Sequence, residues 1–258
     1  SLVSLGKYNL HWRILNSEEH GLAQTRRRIY IVGVKASCDR GTFQFPEPLP
    51  PVSIEPFLEP QQEVPDDSML PPTSQSTAHG NVLRVIADLR AAGHDPMREP
   101  WIIDCDSSSY RMMWKYGCSP CITCARRAGF WVTSRGRRLT KLEMMRLQGI
   151  TTPDQGFKIV VTDAQLGKQI GNAMSVNVLE RLLCVLLPAA GLVRDQLPDR
   201  WATGVAVRAL ASTRNLNFAK RFGCKRVRGE LLPNIANRKR KCPSGTKFPP
   251  GSSFKRAR

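Results

Sequence analysis

Three polar side chains alternate along a stretch typical of the start of a β-strand: Gln24, Arg26 and Arg28. Alternate residues of an extended chain share one face. Two guanidinium groups on one face at the entrance to a buried strand are costly unless anionic or polar partners compensate them. The pattern therefore indicates a site that holds such a partner. A solvated strand end, with both arginines facing water, is the alternative that the spacing leaves open.

Three cysteines, Cys118, Cys121 and Cys124, follow at intervals of three residues. Thiolates at this spacing can wrap a zinc ion, but a structural zinc site needs a fourth ligand. The four histidines are remote in the sequence, and Cys105 is the nearer further thiol. We therefore expect structural thiols and no bound metal. A zinc-stabilised binding module is the competing interpretation.

Basic and aromatic residues interleave between residues 110 and 141, where eight Lys and Arg occur and no acid does. Arginines in such a stretch can hold DNA phosphates, and one or two of them can read guanine in the major groove. The predicted contacts with double-stranded DNA are Arg111, Lys115, Arg126, Arg127, Arg135 and Arg137. A solvated basic face is the alternative interpretation of this run.

Three motifs in order resemble the cytosine-C5 DNA methyltransferase family. The Gln-x-Arg-x-Arg pattern, followed by Ile-Tyr-Ile-Val-Gly at residues 29–33, resembles the eighth conserved motif of that family. Residues 138–149 (RLTKLEMMRLQG) resemble the ninth motif, and residues 168–179 (KQIGNAMSVNVL) resemble the tenth. The segment between the eighth and ninth motifs stands where the family keeps its target recognition domain. The resemblance covers about residues 5–187.

The resemblance implies a reaction in which S-adenosylmethionine methylates C5 of a flipped cytosine. A Cys thiolate attacks C6 and a Glu stabilises the ring at N3, and flipping is needed because the stacked base is unreachable. The resemblance assigns Arg28 to the flipped base near its O2, where charge builds up during attack. It assigns Arg26 and Gln24 to the support of that site and of the bound DNA backbone.

The ninth and tenth motifs imply roles in recognition and in cofactor binding. The resemblance places Asn172, Ala173 and Val176 beside S-adenosylmethionine. This sequence has Ala-Met-Ser at residues 173–175, where the family usually has Ser-Val-Pro after Gly-Asn. Contacts from those side chains therefore differ, although backbone contacts could remain. The ninth-motif helix would organise the recognition domain, with Thr140 and Glu143 acting as caps.

The family motifs that precede the eighth motif do not occur in this sequence. Phe-x-Gly-x-Gly for the cofactor, Pro-Cys-Gln for the nucleophile and Glu-Asn-Val are all absent. Cys121 follows a proline, but it comes after the eighth motif and lacks the Gln, so we do not expect it to be the attacking thiol. We expect a C-terminal fragment of the enzyme, inactive alone, whose missing N-terminal catalytic portion comes from the same gene or a partner subunit. A non-catalytic DNA-binding relic or regulatory subunit of the same descent is the alternative.

The elements that must position these residues follow from periodicity and capping signals. The predicted strands are Tyr8–Asn16 and Arg28–Val34, which form a long hairpin, and two short ones at Trp101–Asp104 and Phe130–Thr133. The predicted helices run from Asn81 (as the cap) to Ala92, from the Thr140 capping box to Gly149, from the Thr162 capping box to near Gly171, and from Val176 to a stop at Pro188.

The predicted fold class is α/β: a partial Rossmann-like methyltransferase domain that depends on S-adenosylmethionine, with an inserted recognition domain and a disordered basic tail. The expected segments are the end of the catalytic domain (1–35), the target recognition domain (36–137), the ninth and tenth motifs that return to the catalytic domain (138–190) and the tail (191–258). Nine prolines between Pro46 and Pro72, with six acids, predict that residues 41–80 form an insertion or surface loop that is partly disordered.

Composition narrows the class of protein. The 258 residues are 41% hydrophobic, which excludes a wholly disordered chain. No apolar run reaches the roughly 18 residues of a membrane helix, and Lys7, His11 and Arg13 interrupt any signal peptide. The eight cysteines are irregularly spaced, which fits a reducing compartment. We therefore expect no membrane partner.

The net charge of +18 is concentrated at the C-terminal end. Residues 191–258 hold seventeen basic and three acidic residues and so carry +14 of it. Two basic clusters at residues 238–241 and 255–258 are similar to a bipartite nuclear import signal, which predicts a nuclear location in a eukaryotic host. A flexible clamp on DNA phosphates is a compatible interpretation, and a solvated tail with neither role is the alternative.

Overall fold

The computed structural model describes residues 6–60, 69–108, 110–150 and 159–213. The strands are β1 (Tyr8–Asn16), β2 (Arg27–Lys35), β3 (Trp101–Ile103), β4 (Trp114–Tyr116), β5 (Trp131–Val132) and β6 (Arg137–Arg138). The helices are α1 (Ser76–Ala91), α2 (Lys141–Arg146), α3 (Asp163–Asn172), α4 (Val176–Ala189) and α5 (Val205–Ser212). The basic clusters of the tail lie outside the described residues, and their two proposed roles stay predictions.

Strands β1 and β2 form the long hairpin that the sequence predicts, with β2 one residue longer at each end. They pair antiparallel from Tyr8 opposite Lys35 to Asn16 opposite Arg27. Alternate residues of β2, Tyr30, Val32 and Val34, are buried, and they pack in one cluster with residues of α4. The hairpin therefore has one face against α4 and one face turned away from it.

A second sheet, of order β4-β3-β5-β6, holds the predicted recognition region together. All of its strand pairs are antiparallel. Helix α1 packs its apolar face on this sheet, where Val82, Val85 and Ile103 are fully buried. The helix begins at Ser76, five residues before the predicted start. The predicted cap was wrong: Asn81 lies inside the helix and is buried because its amide donates to the carbonyls of Cys105 and Ser107.

The proline-rich segment is only in part the surface loop that its composition predicts, because exposed and buried residues alternate over residues 43–60. Ile54, Phe57 and Leu58 are fully buried in the central core. Two of its acids form ion pairs with buried arginines, Glu55 with Arg135 and Glu59 with Arg146. Large apolar residues between the prolines and matched charges on the core side hold the segment in place. The prediction for residues 61–68 lies outside the described residues.

The start of the predicted tail also belongs to the core. Within residues 191–213, helix α5 forms and Trp201, Ala206 and Leu210 are buried in the central cluster. The apolar spacing of α5 explains this result, since it faces the core despite the overall charge of the segment. Gly149 accommodates the contact at Trp201, because a Cβ there would lie 3.3 Å from the indole and the backbone has a φ of +76°.

Both predicted capping boxes are confirmed. The Thr140 hydroxyl accepts from the Glu143 N–H while the Glu143 side chain accepts from the Thr140 N–H, and Thr162 and Gln165 do the same at α3.

Residues 163–189 are long and apolar enough to cross a membrane by length and composition alone. The extended backbone at Ala173 and Ser175 separates α3 from α4, and apolar residues of both helices lie in the core.

His20 ends a short 3₁₀ turn and is buried against Arg181 of α4. Burial and the adjacent Arg181 charge lower the pKa of His20 to about 4. Its imidazole therefore accepts a hydrogen bond from the Arg181 guanidinium in the neutral form. In the unfolded chain His20 has an ordinary pKa of 6.5. Between pH 6.5 and about 4, His20 therefore binds a proton in the unfolded chain and stays neutral in the folded chain.

We expect the free energy of unfolding to fall by up to about 3 kcal/mol as pH drops from 6.5 to 4, because protonation of His20 favours the unfolded chain. Urea denaturation at several pH values measures this slope. In His20→Gln the slope between pH 6.5 and 5 should flatten. An equal slope in the wild type and His20→Gln would contradict the assignment.

Candidate functional site

Gln24 is fully buried at the junction of three chain segments. Its amide Nε2 donates to the Leu147 carbonyl at 2.5 Å, and its Oε1 accepts from the Ile122 N–H at 3.2 Å. The backbone on either side of Gln24 also pairs with Ser119, since Thr25 N–H donates to Ser119 O at 2.9 Å and Ser119 N–H donates to Ala23 O. The residue therefore fixes the start of β2 to the ninth motif and to the recognition region.

Arg26 is also buried, with 5% of its surface exposed. Nη1 donates to the Ile122 carbonyl at 2.7 Å and faces the Cys121 thiol at 3.4 Å. Nη2 donates to the carbonyls of Gly171 and Ala173, at 3.2 and 2.8 Å. These carbonyls lie at the C-terminal end of α3, where the helix dipole is negative and stabilises a cation. The polar partner that the sequence predicts for Arg26 is therefore the protein's own backbone.

Arg28 differs from the two residues before it because its side chain is exposed. Nη1 donates to the neighbouring Arg27 carbonyl at 2.7 Å, and Nη2 lies 3.6 Å from the Cys121 Sγ. Other N–H groups of its guanidinium point into solvent and can donate to a ligand. Of the three alternating residues, Arg28 alone can meet a substrate.

An open pocket of about 460 Å³ lies next to Arg28 and shares Cys121 with it. Its walls are mostly apolar, and they come from the residue Thr25 before β2, from β4 and the residues before it, and from Pro120 and Cys121. The lining residues are Thr25, Met112, Met113, Trp114, Lys115, Pro120 and Cys121. Lys115 is anchored at one wall because its ammonium group donates to Thr25 Oγ1 at 2.5 Å and pairs with Glu18 at 3.3 Å. The pocket thus offers flat apolar surface beside one exposed guanidinium.

The predicted DNA-contacting residues fall into two groups. Arg126 pairs with Asp104 at 2.5 Å, Arg135 with Glu55 at 2.6 Å, and Arg137 with Glu143 at 2.8 Å. Arg135 is only 6% exposed, so the prediction of DNA contact for it is wrong. Glu55 neutralises its guanidinium within the fold. Arg111 and Arg127 are exposed, and Lys115 is half-buried.

Glu143 neutralises Arg137, one of these basic residues. Its carboxylate is fully buried, accepts two hydrogen bonds from Arg137 at 2.8 Å, and also accepts from the N–H groups of Thr140 and Glu59. Burial alone would raise the pKa of this carboxyl, but the bonds from Arg137 and the backbone outweigh burial and lower it. The capping role predicted for Glu143 was correct but incomplete: Arg137 lies only six residues away, whereas Glu59 lies 84 residues away and gives no local signal.

The predicted cofactor residues lie where α3 ends and α4 begins. The Asn172 side chain is exposed, whereas Ala173 and Val176 are half-buried. The Ala173 carbonyl is taken by Arg26, and the Val176 N–H donates to the Gln148 carbonyl at 2.9 Å. A Cβ at Gly171 would lie 2.3 Å from backbone atoms of residues 123 and 124, so this glycine lets α3 touch the recognition region. The Asn172 carboxamide and the Val176 side chain fit contact with a cofactor.

The three spaced cysteines do not share one environment. Cys118 is buried beside Thr25, and burial raises the pKa of its thiol to about 11, so it is protonated at neutral pH. Cys121 faces Arg26 and Arg28, and Cys124 is exposed on a 3₁₀ turn. Among the described residues, no group of three or more His, Cys, Asp or Glu is placed to hold a metal ion. The absence of zinc stays a prediction.

Comparison with known proteins gives the same family as the resemblance. The family model described as C-5 cytosine-specific DNA methylase matches residues 1–187. The type II methyltransferase M.NgoBI of Neisseria gonorrhoeae is 33% identical over 194 residues, which cover 72% of this chain and 54% of that protein. M.HaeII of Haemophilus aegyptius is 29% identical over 68% of this chain and 49% of its own length. M.HhaI of Haemophilus parahaemolyticus is 27% identical over 67% and 51%.

Among solved structures, a methyltransferase of Entamoeba histolytica matches 72% of this chain and 55% of its own chain, at 15% identity and a TM-score of 0.46. The chain therefore spans about half the length of the curated relatives that it matches.

Proposed function

This chain belongs to the C-5 cytosine-specific DNA methylase family, and we propose that it supplies the part of the enzyme that recognises DNA and closes the site. The reaction proposed is methyl transfer from S-adenosylmethionine to C5 of a flipped cytosine in double-stranded DNA. The observation that carries the proposal is the exposed Arg28, held beside an open pocket by the buried Gln24 and Arg26.

Arg28 is the proposed catalytic residue of this chain. Attack of a thiolate at C6 moves electron density onto the cytosine ring, and a fixed guanidinium near O2 stabilises that charge in the transition state. Gln24 and Arg26 are positioning residues, because their hydrogen bonds end on the protein and set the direction of β2. An Arg fork suits this fixed geometry better than the compact ammonium of Lys.

The pocket and the exposed basic residues form the proposed DNA surface. Arg111 and Arg127 can neutralise phosphates without reading sequence. Trp114 and the neighbouring methionines give the pocket flat apolar walls, against which an unstacked base can pack. Arg126 and Arg137 act indirectly in this proposal, because their ion pairs shape the loops that carry the exposed residues.

S-adenosylmethionine supplies the methyl group when it is bound. We propose that the Asn172 carboxamide and the Val176 side chain contact it. Ala173 contributes its methyl group, because its carbonyl oxygen accepts from Arg26 and its N–H donates to the Ile170 carbonyl.

The attacking thiolate is proposed to come from outside this sequence, since Pro-Cys-Gln is absent from it. In the proposed reaction the thiolate adds to C6 and C5 takes the methyl group. C5 then loses its proton to a base, and the thiolate leaves. None of these steps uses Cys121.

We expect the purified chain alone to transfer no methyl group from labelled S-adenosylmethionine to DNA, because it lacks the nucleophile. Co-expression with the segment of M.NgoBI that lies outside the match should restore transfer. Restored transfer must disappear when the cysteine of any Pro-Cys-Gln motif in that segment is changed to Ser. Methyl transfer by the chain alone would contradict the proposal that the nucleophile comes from outside this sequence. DNA binding without methyl transfer in any combination would favour a non-catalytic relic.

A further inference from the structure

Residues 199–213, which we call the C-terminal strap, cross from α4 to the central core. At their start, Asp199 pairs with the buried Arg181 of α4 at 2.7 Å, and Arg200 pairs with Glu180 at 2.6 Å. The strap continues into α5, whose buried residues join the central cluster. The family match ends before the strap begins, so the strap lies beyond the motifs that identify the family.

The Trp201 side chain fills the space between two glycines. A Cβ at Gly21 would lie 3.2 Å from its ring, and a Cβ at Gly149 would lie 3.3 Å from it. The indole N–H donates to Glu180 Oε2 at 3.0 Å, and the residue is only 4% exposed. Gly21 caps the 3₁₀ turn shortly before Gln24, and Gly149 is the last residue of the ninth motif. One buried ring therefore touches both of these segments.

The other end of the strap contacts the ninth motif through Arg146. The Thr213 hydroxyl accepts from Arg146 Nε at 3.1 Å. The Arg146 side chain is fully buried, and its Nη1 donates to the Phe57 carbonyl at 2.8 Å. Because no water reaches a buried guanidinium, loss of the Thr213 hydroxyl would leave one of its donors unsatisfied.

The segment between these two strap contacts is the one that fixes Gln24. The strap touches Arg146 and Gly149, and the Leu147 carbonyl between them accepts from Gln24 Nε2 at 2.5 Å. Gln24 in turn fixes the start of β2, which carries Arg28. A continuous series of buried contacts therefore leads from the strap to the exposed guanidinium beside the pocket.

We propose that the C-terminal strap positions Arg28 for catalysis, with Trp201 and Thr213 as its positioning residues. This inference rests on the proposed function and adds a segment outside the family match that sets the geometry of the reacting site. Neither residue lines the pocket, so both act through the ninth motif and Gln24. A misplacement of about 1 Å at a reacting group lowers a rate by about 100-fold. A small movement of residues 146–149 is therefore enough to slow methyl transfer.

Hydrogen exchange of the full chain, read by mass spectrometry, tests the strap independently of activity. We expect Trp201→Ala to speed exchange at residues 22–28 at least about 10-fold, because the contact that holds this segment is lost. Residues 82–89 of α1 should keep the wild-type rate, since they pack in a separate cluster. Trp201→Phe keeps a ring between the two glycines and should restore slow exchange. Leu192→Ala is the matched control, because Leu192 is 72% exposed between α4 and the strap.

The second measurement uses the assembled methyltransferase. Thr213→Val should lower the single-turnover rate at saturating DNA about 10–100-fold and leave DNA affinity unchanged, because valine has nearly the same shape and removes only the acceptor of Arg146. Thr213→Ser keeps the hydroxyl and should retain the wild-type rate. At a temperature where all variants are folded, a role in stability alone would leave this rate unchanged.

Unchanged exchange at residues 22–28 in Trp201→Ala, or an equal acceleration in α1, would overturn the positioning role. So would a wild-type rate in Thr213→Val, or a slow rate in Thr213→Ser. If Trp201→Ala does not fold, exchange in Thr213→Val compared with Thr213→Ser decides. Exchange that depends on Trp201, in an assembly that transfers no methyl group even with the wild-type chain, would contradict the proposed function and leave the link from the strap to Gln24 standing.

Discussion

Arg28→Ala in the assembled methyltransferase is expected to lower the single-turnover rate of methyl transfer about 10²–10³-fold, with little change in DNA affinity. The loss of one preorganised donor to a developing charge has about this cost in enzymes. The structure makes the expectation specific, since Arg28 is exposed while its neighbours Gln24 and Arg26 donate to the protein itself. Rapid-quench measurement at saturating DNA separates the rate from the affinity.

Two further variants bracket this result. Arg28→Lys keeps the charge and loses the fork, so we expect a rate between those of the wild type and Arg28→Ala. Arg127→Ala removes an exposed charge that is proposed to contact phosphate; it should weaken DNA binding and leave the single-turnover rate at saturation unchanged. An unchanged rate in Arg28→Ala would remove Arg28 from the reacting site.

Glu143→Ala is expected to lower the free energy of unfolding by about 3–5 kcal/mol, because it leaves buried hydrogen-bond donors and the Arg137 charge without a partner. The Glu143 carboxylate is fully buried and connects helix α2, strand β6 and the proline-rich segment through Arg137 and Glu59. Urea denaturation of the chain measures the change. A loss under about 1 kcal/mol would show that the fold relaxes around the missing carboxylate.

The control for this experiment is the cap itself. Thr140→Ala removes only the helix N-cap bond and should lower the free energy of unfolding by about 1 kcal/mol. The lowered pKa of Glu143 means that its ionised form stabilises the fold above the ordinary carboxyl pKa, and that this stability is lost as pH falls from that value through the lowered pKa of the folded chain. Glu143→Gln should remove this part of the acid dependence, whereas Thr140→Ala should retain it.

The corrections among the basic residues share one cause. A run of arginines without nearby acids looks like a nucleic-acid surface, because sequence shows only local neighbours. The acids that neutralise Arg126, Arg135 and Arg137 come from Asp104, Glu55 and Glu143, respectively. Asp104 and Glu55 lie 22 and 80 residues away from their partners. Because these three arginines are paired, the proposed DNA surface consists of Arg111, Arg127 and the pocket.

Local patterns were enough for the hairpin and the capping boxes. Strand alternation and β-branched residues determined β1 and β2 to within one residue, and the Thr140 and Thr162 boxes marked the starts of α2 and α3. These features depend on backbone preferences and on side-chain bonds over three residues, so the sequence by itself contains them. The motif order also identified the family.

Only the tertiary structure decided which groups face water. It buried Gln24 and Arg26 while exposing Arg28, although all three share the same alternation. It also buried Ile54 and Phe57, two residues of the proline-rich segment, in the core. The physical reason is that a polar group can be buried only where distant partners satisfy it, and an apolar residue only where distant segments close over it. Both conditions join residues far apart in the chain, which no local pattern records.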